Sequence, residues 1–389
     1  MKPPTNNTPP QGYKMTELGA LPEEWEVVSF ESCIIKKNFK AKKIKQQDYK
    51  PYGKYPVIDQ GQNMIAGYWD NKNEVFGENL PVIIFGDHTR IIKYIDFPFV
   101  PGADGTRILI PNISFISPKF FYYSLLNLKI PSRGYNRHFS LLREQKIPLP
   151  PLAEQQKIAA VLSAVQEAKE KTEAVIAATK ALKKSMMKHL FTYGPVSPEE
   201  AENVQLKETE IGLVPEEWEV VRLGEVADIK SGGTPSREKR EYWIGGNVPW
   251  IKSEQCQDCF IYTANEYITN LGLENSSAKL LKPNTVLMAM VGATMGKTGF
   301  LTIEACTNQN IAGIYPLRNL NNIYLYYVIQ SRYKEFAKIR GYSIANLSYL
   351  KQFLIPIPPL PVQEKIASIL SAFDSKIEAE ENRKKALDD

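Results

Sequence analysis

The stretch Ile147-Pro-Leu-Pro-Pro-Leu-Ala-Glu-Gln-Gln-Lys-Ile-Ala-Ala-Val-Leu-Ser-Ala164 decides the organisation of this chain, because it occurs twice. The second copy is Ile355-Pro-Ile-Pro-Pro-Leu-Pro-Val-Gln-Glu-Lys-Ile-Ala-Ser-Ile-Leu-Ser-Ala372, and 12 of its 18 positions are identical to the first. Thr16-Glu-Leu-Gly-Ala-Leu-Pro-Glu-Glu-Trp-Glu-Val-Val28 likewise recurs as Thr209-Glu-Ile-Gly-Leu-Val-Pro-Glu-Glu-Trp-Glu-Val-Val221. Two matches in the same order indicate a duplicated unit. The residues between these landmarks diverge, so we predict a common scaffold that holds two different surfaces.

The divergent region of each unit mixes short β-rich runs with a helical run, which predicts the α+β class. Runs such as Pro81–Phe85 and Thr285–Met290 are apolar and bounded by Gly, Asn and Asp, as strands are. Pro118–Leu128 has helical character. We therefore expect two mixed domains rather than two helical bundles.

A long helix follows each Pro-rich landmark. Ala153–Phe191 contains no Pro or Gly, and at about 1.5 Å per residue it can reach about 55–60 Å. Apolar residues recur in it with heptad spacing, which predicts packing against another helix. The simplest partner is the helix of the second copy, Pro361–Asp389, running antiparallel and related by a pseudo-two-fold axis. The residues predicted to form the helix–helix contact are Ile158, Val161, Leu162, Val165, Val175, Leu182, Ile366, Ile369, Leu370, Phe373 and Ile377.

Composition excludes several classes of protein. The formal net charge of +5 is compatible with nucleic-acid binding but too small to indicate it alone. No apolar run reaches the roughly 18 residues of a membrane helix, and four cysteines are too few for a disulfide scaffold. We therefore expect a cytoplasmic protein.

Two motifs that suggest chemistry fail on their spacing. Gly292-Ala-Thr-Met-Gly-Lys-Thr298 has three residues between its glycines where a phosphate-binding loop needs four. Cys256-Gln-Asp-Cys259 is half a zinc site without a second pair of ligands. No dinucleotide fingerprint, methylation motif or nucleophile elbow is present, so no catalytic centre, cofactor site or metal site is predicted in this chain.

Basic and amide side chains cluster on predicted turns, where they can neutralise phosphates or contact base edges. A solvated charged face is the competing interpretation of the same pattern. The candidate DNA-binding residues of the first unit are Lys36, Lys37, Lys40, Lys42, Lys43, His88, Thr89, Arg90, Arg133, Tyr135, Asn136, Arg137 and His138. Those of the second unit are Lys230, Thr234, Arg237, Lys239, Arg240, Lys252, Gln255, Thr294, Lys297, Asn308, Gln309, Ser343 and Asn346.

Taken together, the repeated Pro-Glu-Glu-Trp turns, the two Pro-rich landmarks, and the segments Gly292–Lys297 and Asn308–Ala312 make the chain resemble the specificity subunit of type I restriction-modification systems. The resemblance implies two target recognition domains joined by two long antiparallel coiled-coil helices. The implied division is a first recognition domain with an N-terminal arm at 1–150 and a spacer helix at 151–193. A second recognition domain follows at 194–354, and a shortened second spacer helix at 355–389.

The resemblance also implies the function. Each domain would read one half of a bipartite, asymmetric double-stranded DNA sequence. The helices would set the spacing and dock two methyltransferase subunits, which carry S-adenosylmethionine chemistry. Two restriction or motor subunits using ATP and Mg²⁺ would complete the complex, and this chain itself would not be catalytic.

Two other hypotheses stay open at this point. The repeat alone also fits a coiled-coil adaptor with two protein-interaction domains and no DNA readout. A self-contained restriction or ATP-driven enzyme is the third hypothesis, and the missing motifs argue against it.

Overall fold

The computed structural model describes residues 9–36, 42–132, 134, 136–317, 319–332 and 347–388. The chain divides into two compact units, Met1–Lys169 and Glu170–Asp389. The strands of the first unit are β1 (Tyr13–Thr16), β2 (Gly19–Pro22), β3 (Glu26–Ser29), β4 (Tyr55–Ile58), β5 (Gly67–Trp69), β6 (Val82–Gly86), β7 (Ile92–Ile95), β8 (Val100–Pro101), β9 (Thr106–Leu109) and β10 (Lys146–Leu149). Its helices are α1 (Pro118–Leu126), α2 (Phe139–Arg143) and the start of α3 (Leu152–Tyr193), which continues into the second unit.

The second unit repeats this order with additions. Its strands are β11 (Leu206–Thr209), β12 (Gly212–Pro215), β13 (Glu219–Arg222), β14 (Ala227–Ser231), β15 (Val248–Ile251), β16 (Cys259–Ile261), β17 (Glu266–Ile268), β18 (Thr285–Ala289), β19 (Thr298–Leu301), β20 (Cys306–Thr307), β21 (Ile311–Pro316) and β22 (Leu354–Ile357). Its further helices are α4 (Pro198–Ala201), α5 (Leu223–Val226), α6 (Asn270–Glu274), α7 (Asn322–Ser331), α8 (Leu347–Gln352) and α9 (Leu360–Asp388).

The two domains share one topology. The first has sheets in the orders β5-β4-β8 and β7-β6-β9, and the second has β17-β15-β20 and β14-β21-β18-β19-β16. In each three-stranded sheet the central strand is parallel to one neighbour, β4 to β8 in the first domain and β15 to β20 in the second. The second domain extends the larger sheet by one strand on each side. The α+β class and the duplication predicted from the sequence are therefore confirmed.

Each domain is inserted between two paired strands. β3 pairs antiparallel with β10, and the next residues inward are also joined, because the Phe30 N–H donates to the Gln145 carbonyl at 3.0 Å. β13 pairs with β22 in the same way, and the Leu223 N–H donates to the Phe353 carbonyl at 2.8 Å. The chain thus enters and leaves each domain at one place.

A buried glutamine fastens the start of α3 to the first domain. Gln155 is 1% exposed. Its Oε1 accepts the Ser117 N–H at 2.8 Å, and its Nε2 donates to the carbonyls of Phe115 at 3.0 Å and Pro150 at 2.8 Å. One amide side chain therefore satisfies three backbone groups and fixes α3 against the N-terminus of α1.

Gln363 makes the same contacts in the second domain. Its Oε1 accepts the Asn321 N–H at 2.8 Å, and its Nε2 donates to the carbonyls of Asn319 at 3.0 Å and Pro358 at 2.8 Å. These matched bonds explain why glutamine is identical at both positions of the repeated stretch.

The two long helices pack antiparallel in the second unit, as predicted. Along α3 the residue numbers of the paired side chains rise while those along α9 fall. The ion pairs are Glu173 with Lys384 at 2.6 Å, Lys180 with Glu381 at 2.7 Å, and Lys183 with Asp374 at 2.6 Å.

Lys183 and Asp374 form the most enclosed of these three pairs, with side chains 12% and 21% exposed. Asp374 also accepts the hydroxyl of Tyr327, on α7, at 2.7 Å. The Lys183 ammonium lies 4.9 Å from the centre of the Tyr327 ring. Burial and the Asp374 charge raise the pKa of Tyr327, so this phenol stays a donor. The three side chains join α3, α9 and the second domain at one point.

The predicted heptad contact is partly wrong on α3. Val161, Leu162, Val175 and Leu182 are exposed by 64%, 39%, 40% and 55%, so they do not form the helix–helix contact. On the second track of the predicted contact, the structure buries or half-buries the positions one residue further along, which are Ile176, Lys183 and Leu190. The buried and half-buried positions of this part of α3 include Thr172, Ile176, Thr179, Lys183, Met186 and Leu190.

On α9 the apolar positions face inward. Ile366, Leu370 and Ile377 are at most 9% exposed, and Ile369 and Phe373 pack against the core of the second unit. On α3, Ile158 packs against the core of the first unit, and Val165 is half-buried.

Replacing Gln155 with Leu is expected to destabilise the first domain by about 1–3 kcal/mol, since two carbonyls and one N–H lose their partner in a buried place. Gln156, the next residue, is exposed, so Gln156→Leu is the matched control. Urea unfolding followed by circular dichroism measures both. Equal shifts of the midpoint for the two variants would contradict the role of the buried amide.

Replacing Asp374 with Ala is expected to cost about 3 kcal/mol, because Lys183 and Tyr327 both lose an acceptor in an enclosed place. Lys180→Ala breaks a pair whose side chains are 55% and 52% exposed, so it should cost less than about 1 kcal/mol. Thermal unfolding of both variants tests this, and a larger loss for the Lys180 variant would refute the assignment.

Candidate nucleic-acid interface

Three loops converge at one edge of the first domain. Because β4 and β8 are parallel, the loops that follow them leave from the same edge. The loop after β6 joins them, since the Asp87 N–H donates to the Gly105 carbonyl at 2.7 Å. Gln60 bridges all three: its Nε2 donates to the Asp104 carbonyl at 2.9 Å, and its Oε1 accepts the His88 N–H at 3.1 Å.

Thr89 completes this arrangement, because its hydroxyl donates to the Gln60 carbonyl at 2.6 Å. Gly105 has φ +85°, and a Cβ there would lie 2.4 Å from Gln60 Oε1. Only glycine therefore allows the loops to approach this closely. The result is an ordered polar edge built from three separate parts of the sequence.

The second domain builds the corresponding edge from different residues. The Asn308 N–H donates to the Ile251 carbonyl at 3.0 Å, and the Met290 N–H donates to the Asn310 carbonyl at 2.8 Å. A fourth segment, the loop after β14, joins this edge. In that loop the Thr234 hydroxyl donates to Gln309 Oε1 at 2.5 Å. The scaffold is shared by the two domains, but the side chains that it presents differ.

Three cations gather beside the first edge. Lys43 Nζ donates to the Thr106 carbonyl at 2.7 Å. Burial lowers the pKa of Lys43, and the positive charges of Arg107 and Arg137 act in the same direction. Arg107 was missed by the sequence analysis, although it lies in a strand that directly follows one of the converging loops. The carboxylates of Asp104 and Asp87 act on Lys43 in the opposite direction.

Asp87 anchors the loop after β6 and is 1% exposed. Burial alone would raise its pKa, but the N–H groups of Phe139 and His138 and the Arg107 guanidinium together hold the pKa below its ordinary value near 3.8. Asp87 Oδ1 accepts these N–H groups at 2.8 and 3.0 Å, and Arg107 lies 2.9 Å from Oδ2.

The assignment of His138 to DNA binding is wrong. His138 is 0% exposed, and its Nδ1 lies 3.0 Å from the Asp87 carbonyl oxygen. It starts α2 and fixes the anchor beneath the loops, so it has no surface to offer a ligand. The sequence pattern, a histidine beside arginine and asparagine, did not distinguish a buried residue at the N-terminus of a helix from an exposed residue that contacts DNA.

Arg237 occupies a structured position in the second domain. Its guanidinium lies 3.5 Å from the centre of the Trp243 ring and 2.7 Å from Glu266. Lys252 pairs with the same Glu266. Glu266 has a lowered pKa because both cations hold its charged form against the effect of burial. Arg237 therefore shapes the loop in which it lies.

The other candidates are spread over several places. Lys36 pairs with Glu31, Lys42 with Glu74, Lys230 with Asp228, and Arg90 donates to the Ile130 carbonyl. Lys239 donates to the Tyr242 hydroxyl, Gln255 to the Thr263 carbonyl, and Thr294 to the Val291 carbonyl. Arg240 and Arg137 are exposed. Asn136 is exposed, and Lys37, Lys40, Arg133, Tyr135, Ser343 and Asn346 lie outside the described residues.

Lys297 lies in a groove of about 1100 Å³ in the second unit, where it pairs with Asp258 at 2.5 Å. Lys184 and Lys188 of α3 line the same groove. The sequence analysis missed these two lysines, although their spacing of four residues places them on one face of a helix.

The two cysteines of the Cys256–Cys259 motif lie in different surroundings. Cys256 is buried and Cys259 exposed, and burial raises the pKa of Cys256 to about 12. In the part of the chain that the structure describes, no three His, Cys, Asp or Glu side chains gather as a metal site would require. Among those same residues, no helix is both long and apolar enough to cross a bilayer.

Comparison with known proteins gives the family. The family model of the type I restriction modification DNA specificity domain matches residues 22–178 and again residues 215–389. The chain is 27% identical to the type I restriction enzyme EcoR124I/EcoR124II specificity subunit of Escherichia coli, over 85% of this chain and 82% of that protein. It is also 27% identical to the putative type I restriction enzyme MjaX specificity subunit of Methanocaldococcus jannaschii, over 97% and 93%.

Solved structures agree at the level of the fold. The type I restriction-modification S subunit from M. genitalium superposes with a TM-score of 0.68 at 18% identity, covering 93% of this chain and 92% of the other. The repeat, the two domains and the family matches together show that this chain belongs to the type I restriction-modification DNA specificity family, as a specificity subunit with two such domains.

Proposed function

We propose that each domain of this subunit reads one half of a bipartite, asymmetric DNA sequence, while α3 and α9 set the spacing between the halves. The observation that carries this proposal is the pair of matched glutamine contacts beneath unlike loops. Gln155 and Gln363 fix two domains of one topology to two long helices by the same three bonds. Two domains that are attached to their helices by the same bonds but present different loops fit a DNA target whose two halves differ.

The spacing argument follows from the helix. Half-sites met from one side of B-DNA lie about 34 Å apart, or a multiple of this. α3 is one continuous helix of 42 residues, so it can hold such a distance where a flexible linker cannot.

The polar edges supply the chemistry for reading DNA. Gln60, Thr89, Thr234 and Gln309 are held on ordered loops, and amide and hydroxyl groups can bond base edges in the major groove. We propose Lys43 and Arg137 as phosphate contacts, with Arg107 beside them already paired with Asp87. We propose these residues as contacts, together with Lys36, Lys42, His88, Arg90, Asn136, Lys230, Lys239, Arg240, Lys252, Gln255, Thr294, Lys297 and Asn308.

The partners follow from the family. We propose that the long helices dock two methyltransferase subunits, which bind S-adenosylmethionine, and that two restriction or motor subunits use ATP and Mg²⁺. We propose that the complex acts on double-stranded DNA in the cytoplasm.

Exchanging residues 30–145 for the corresponding part of another specificity subunit should change one half of the methylated sequence and leave the other half unchanged. The exchanged segment begins at Phe30 and ends at Gln145, which are hydrogen-bonded to each other, so β3 and β10 stay intact. Genome-wide mapping of methylated adenines in cells with the cognate methyltransferase reads the result, and exchange of 223–353 is the reciprocal control. A change in both halves from one exchange would refute the division.

Arg237 and Arg240 should affect DNA binding differently. Arg240→Gln removes an exposed charge, so it should reduce the slope of log K against log salt by about 1 if it meets a phosphate. Arg237→Gln removes a charge already paired with Glu266, so the slope should stay unchanged while affinity for the recognised sequence falls. Arg237→Lys should not restore that affinity, because an ammonium lacks the planar group that stacks on Trp243. Fluorescence anisotropy with the complete methyltransferase complex measures all three variants, and binding indifferent to salt would favour a protein adaptor instead.

A further inference from the structure

The loop between β4 and β5, residues 59–66, lies at the edge of the first domain where the converging loops meet. Among the described residues, no hydrogen bond between two backbone groups involves residues 59–65. A loop without such bonds needs other partners for its polar groups if it is to keep one conformation. Side chains from other segments supply these partners here.

Lys93 holds this loop from the interior of the domain. It lies in β7 and is 4% exposed. Its ammonium donates to the Asp59 carbonyl at 2.8 Å and to the Asn63 carbonyl at 2.6 Å, and it lies 3.9 Å from the Asp59 carboxylate. A buried ammonium costs free energy unless its donors are satisfied, and the loop satisfies them. One side chain therefore fixes both ends of the turn 59–63.

The Asp59 carboxylate fixes the same turn from the side. It accepts the Gly61 N–H at 2.8 Å and the Tyr49 hydroxyl at 3.4 Å. The Tyr49 oxygen in turn accepts the Ala103 N–H at 3.0 Å. Burial raises the pKa of Tyr49 to about 12, so this hydroxyl keeps its proton. The turn is thus tied to the loop that follows β8.

Two amide side chains stand on this turn. Gln62 and Asn63 are exposed, and neither amide group has a hydrogen-bond partner among the described residues. Gln60, in contrast, uses both ends of its amide inside the protein. Lys93 holds the backbone carbonyl of Asn63 while the side chain of Asn63 meets solvent. Amides on a fixed backbone lose less conformational entropy when they bind a ligand.

Positive charge lies on the same edge. Lys43 donates to the Thr106 carbonyl. Two residues earlier in the chain, the Asp104 carbonyl accepts from Gln60 of the turn. The two exposed amides are therefore close to a cation that suits a phosphate, as residues that contact base edges need to be.

We propose that Gln62 and Asn63 contact base edges in the half of the DNA sequence that the first domain reads, with adenine as the preferred base, and that Lys93 is the positioning residue for both. This inference rests on the proposed function, since it names the residues that read one half of the sequence. Asparagine and glutamine can bond N6 and N7 of adenine together in the major groove.

The first experiment uses the complete methyltransferase complex and a duplex that carries its methylated sequence. Single adenines on either strand, other than the methylated one, are replaced by 7-deazaadenine, which keeps base pairing but lacks the N7 acceptor. At one or more adenines of the half set by residues 30–145, the replacement should weaken wild-type binding about fivefold in fluorescence anisotropy, since a base-edge bond is lost.

The double variant Gln62→Ala/Asn63→Ala should respond less than about twofold to the analogue at those adenines, because the bonds to N7 are already absent. Asn73, an exposed amide of the same domain outside the turn, gives the matched control Asn73→Ala, which should respond as the wild type does. A wild type that responds at no adenine of this half, or a double variant that responds equally, would overturn the base contacts.

Lys93→Met removes the ammonium but keeps the length of the side chain. Its response to the analogue should fall to that of the double variant, and it should read the other half as before. The slope of log K against log salt should stay unchanged, since a buried ammonium meets no phosphate. Lys50→Met is the matched control and should respond as the wild type does, because Lys50 pairs with Asp70 in an exposed place, with side chains 50% and 54% exposed.

A Lys93→Met chain that keeps the full response to the analogue, or that loses affinity for every sequence alike, would refute the positioning role. The exposed double variant tests the base contacts independently of how Lys93→Met folds.

The exchange of residues 30–145 separates this inference from the proposed function. If the exchange changes one half of the methylated sequence but no adenine of that half responds to the analogue, the base contacts fail and the proposed function stands. If the exchange changes neither half, or both, the proposed function fails as well.

Discussion

The structure depends on a buried amide that appears twice. Gln155 and Gln363 each satisfy one backbone N–H and two carbonyls where a domain meets the start of its long helix. An amide accepts on one side and donates on the other, so its bonds fix direction as well as distance. An apolar residue of similar size would fill the space but would leave three buried backbone groups unpaired. In the proposed function, the helix sets a spacing, and these bonds are what would hold its first turn to the domain.

The paired strands that carry each domain explain how the two copies diverged. Chain entry and exit are adjacent at Phe30 and Gln145, and again at Leu223 and Phe353. Residues between them can change without altering the strand pair, the glutamine contact or the long helices. The differences accumulate where the loops converge, as in Gln60 against Thr234 with Gln309. A scaffold of this kind lets each surface vary independently of the strands and the helix that carry it.

Much of the fold could be predicted from the sequence, because the repeat and the long helical run are local patterns. The antiparallel pairing also followed, since two apolar stripes of the same chain need a partner. The contact positions on α3 did not follow. Lys183 and Thr172 lie in the buried seam, and a pattern built on apolar residues places the second track of the seam one position too early. Lys183 is tolerated in the seam because it pairs with Asp374 and its ammonium lies over the Tyr327 ring. No local sequence pattern reveals these two contacts.

The site was harder to predict because it is assembled from distant segments. The charges of Arg107 and Arg137 act on Lys43, although the three residues are far apart in sequence. His138 looked like a contact from its neighbours but proved to be the buried support of Asp87.

The positive charges on these domains are largely paired. Many of the lysines and arginines on these domains already meet a carboxylate: Lys36, Lys42, Lys230, Arg237, Lys252 and Lys297 do so. A cation that is paired in the free protein must exchange that partner to bind a phosphate, so it adds less to affinity than an unpaired one. It contributes order to the loop instead. In the proposed function, such surfaces would therefore select a sequence through shape and fixed polar groups more than through electrostatic attraction.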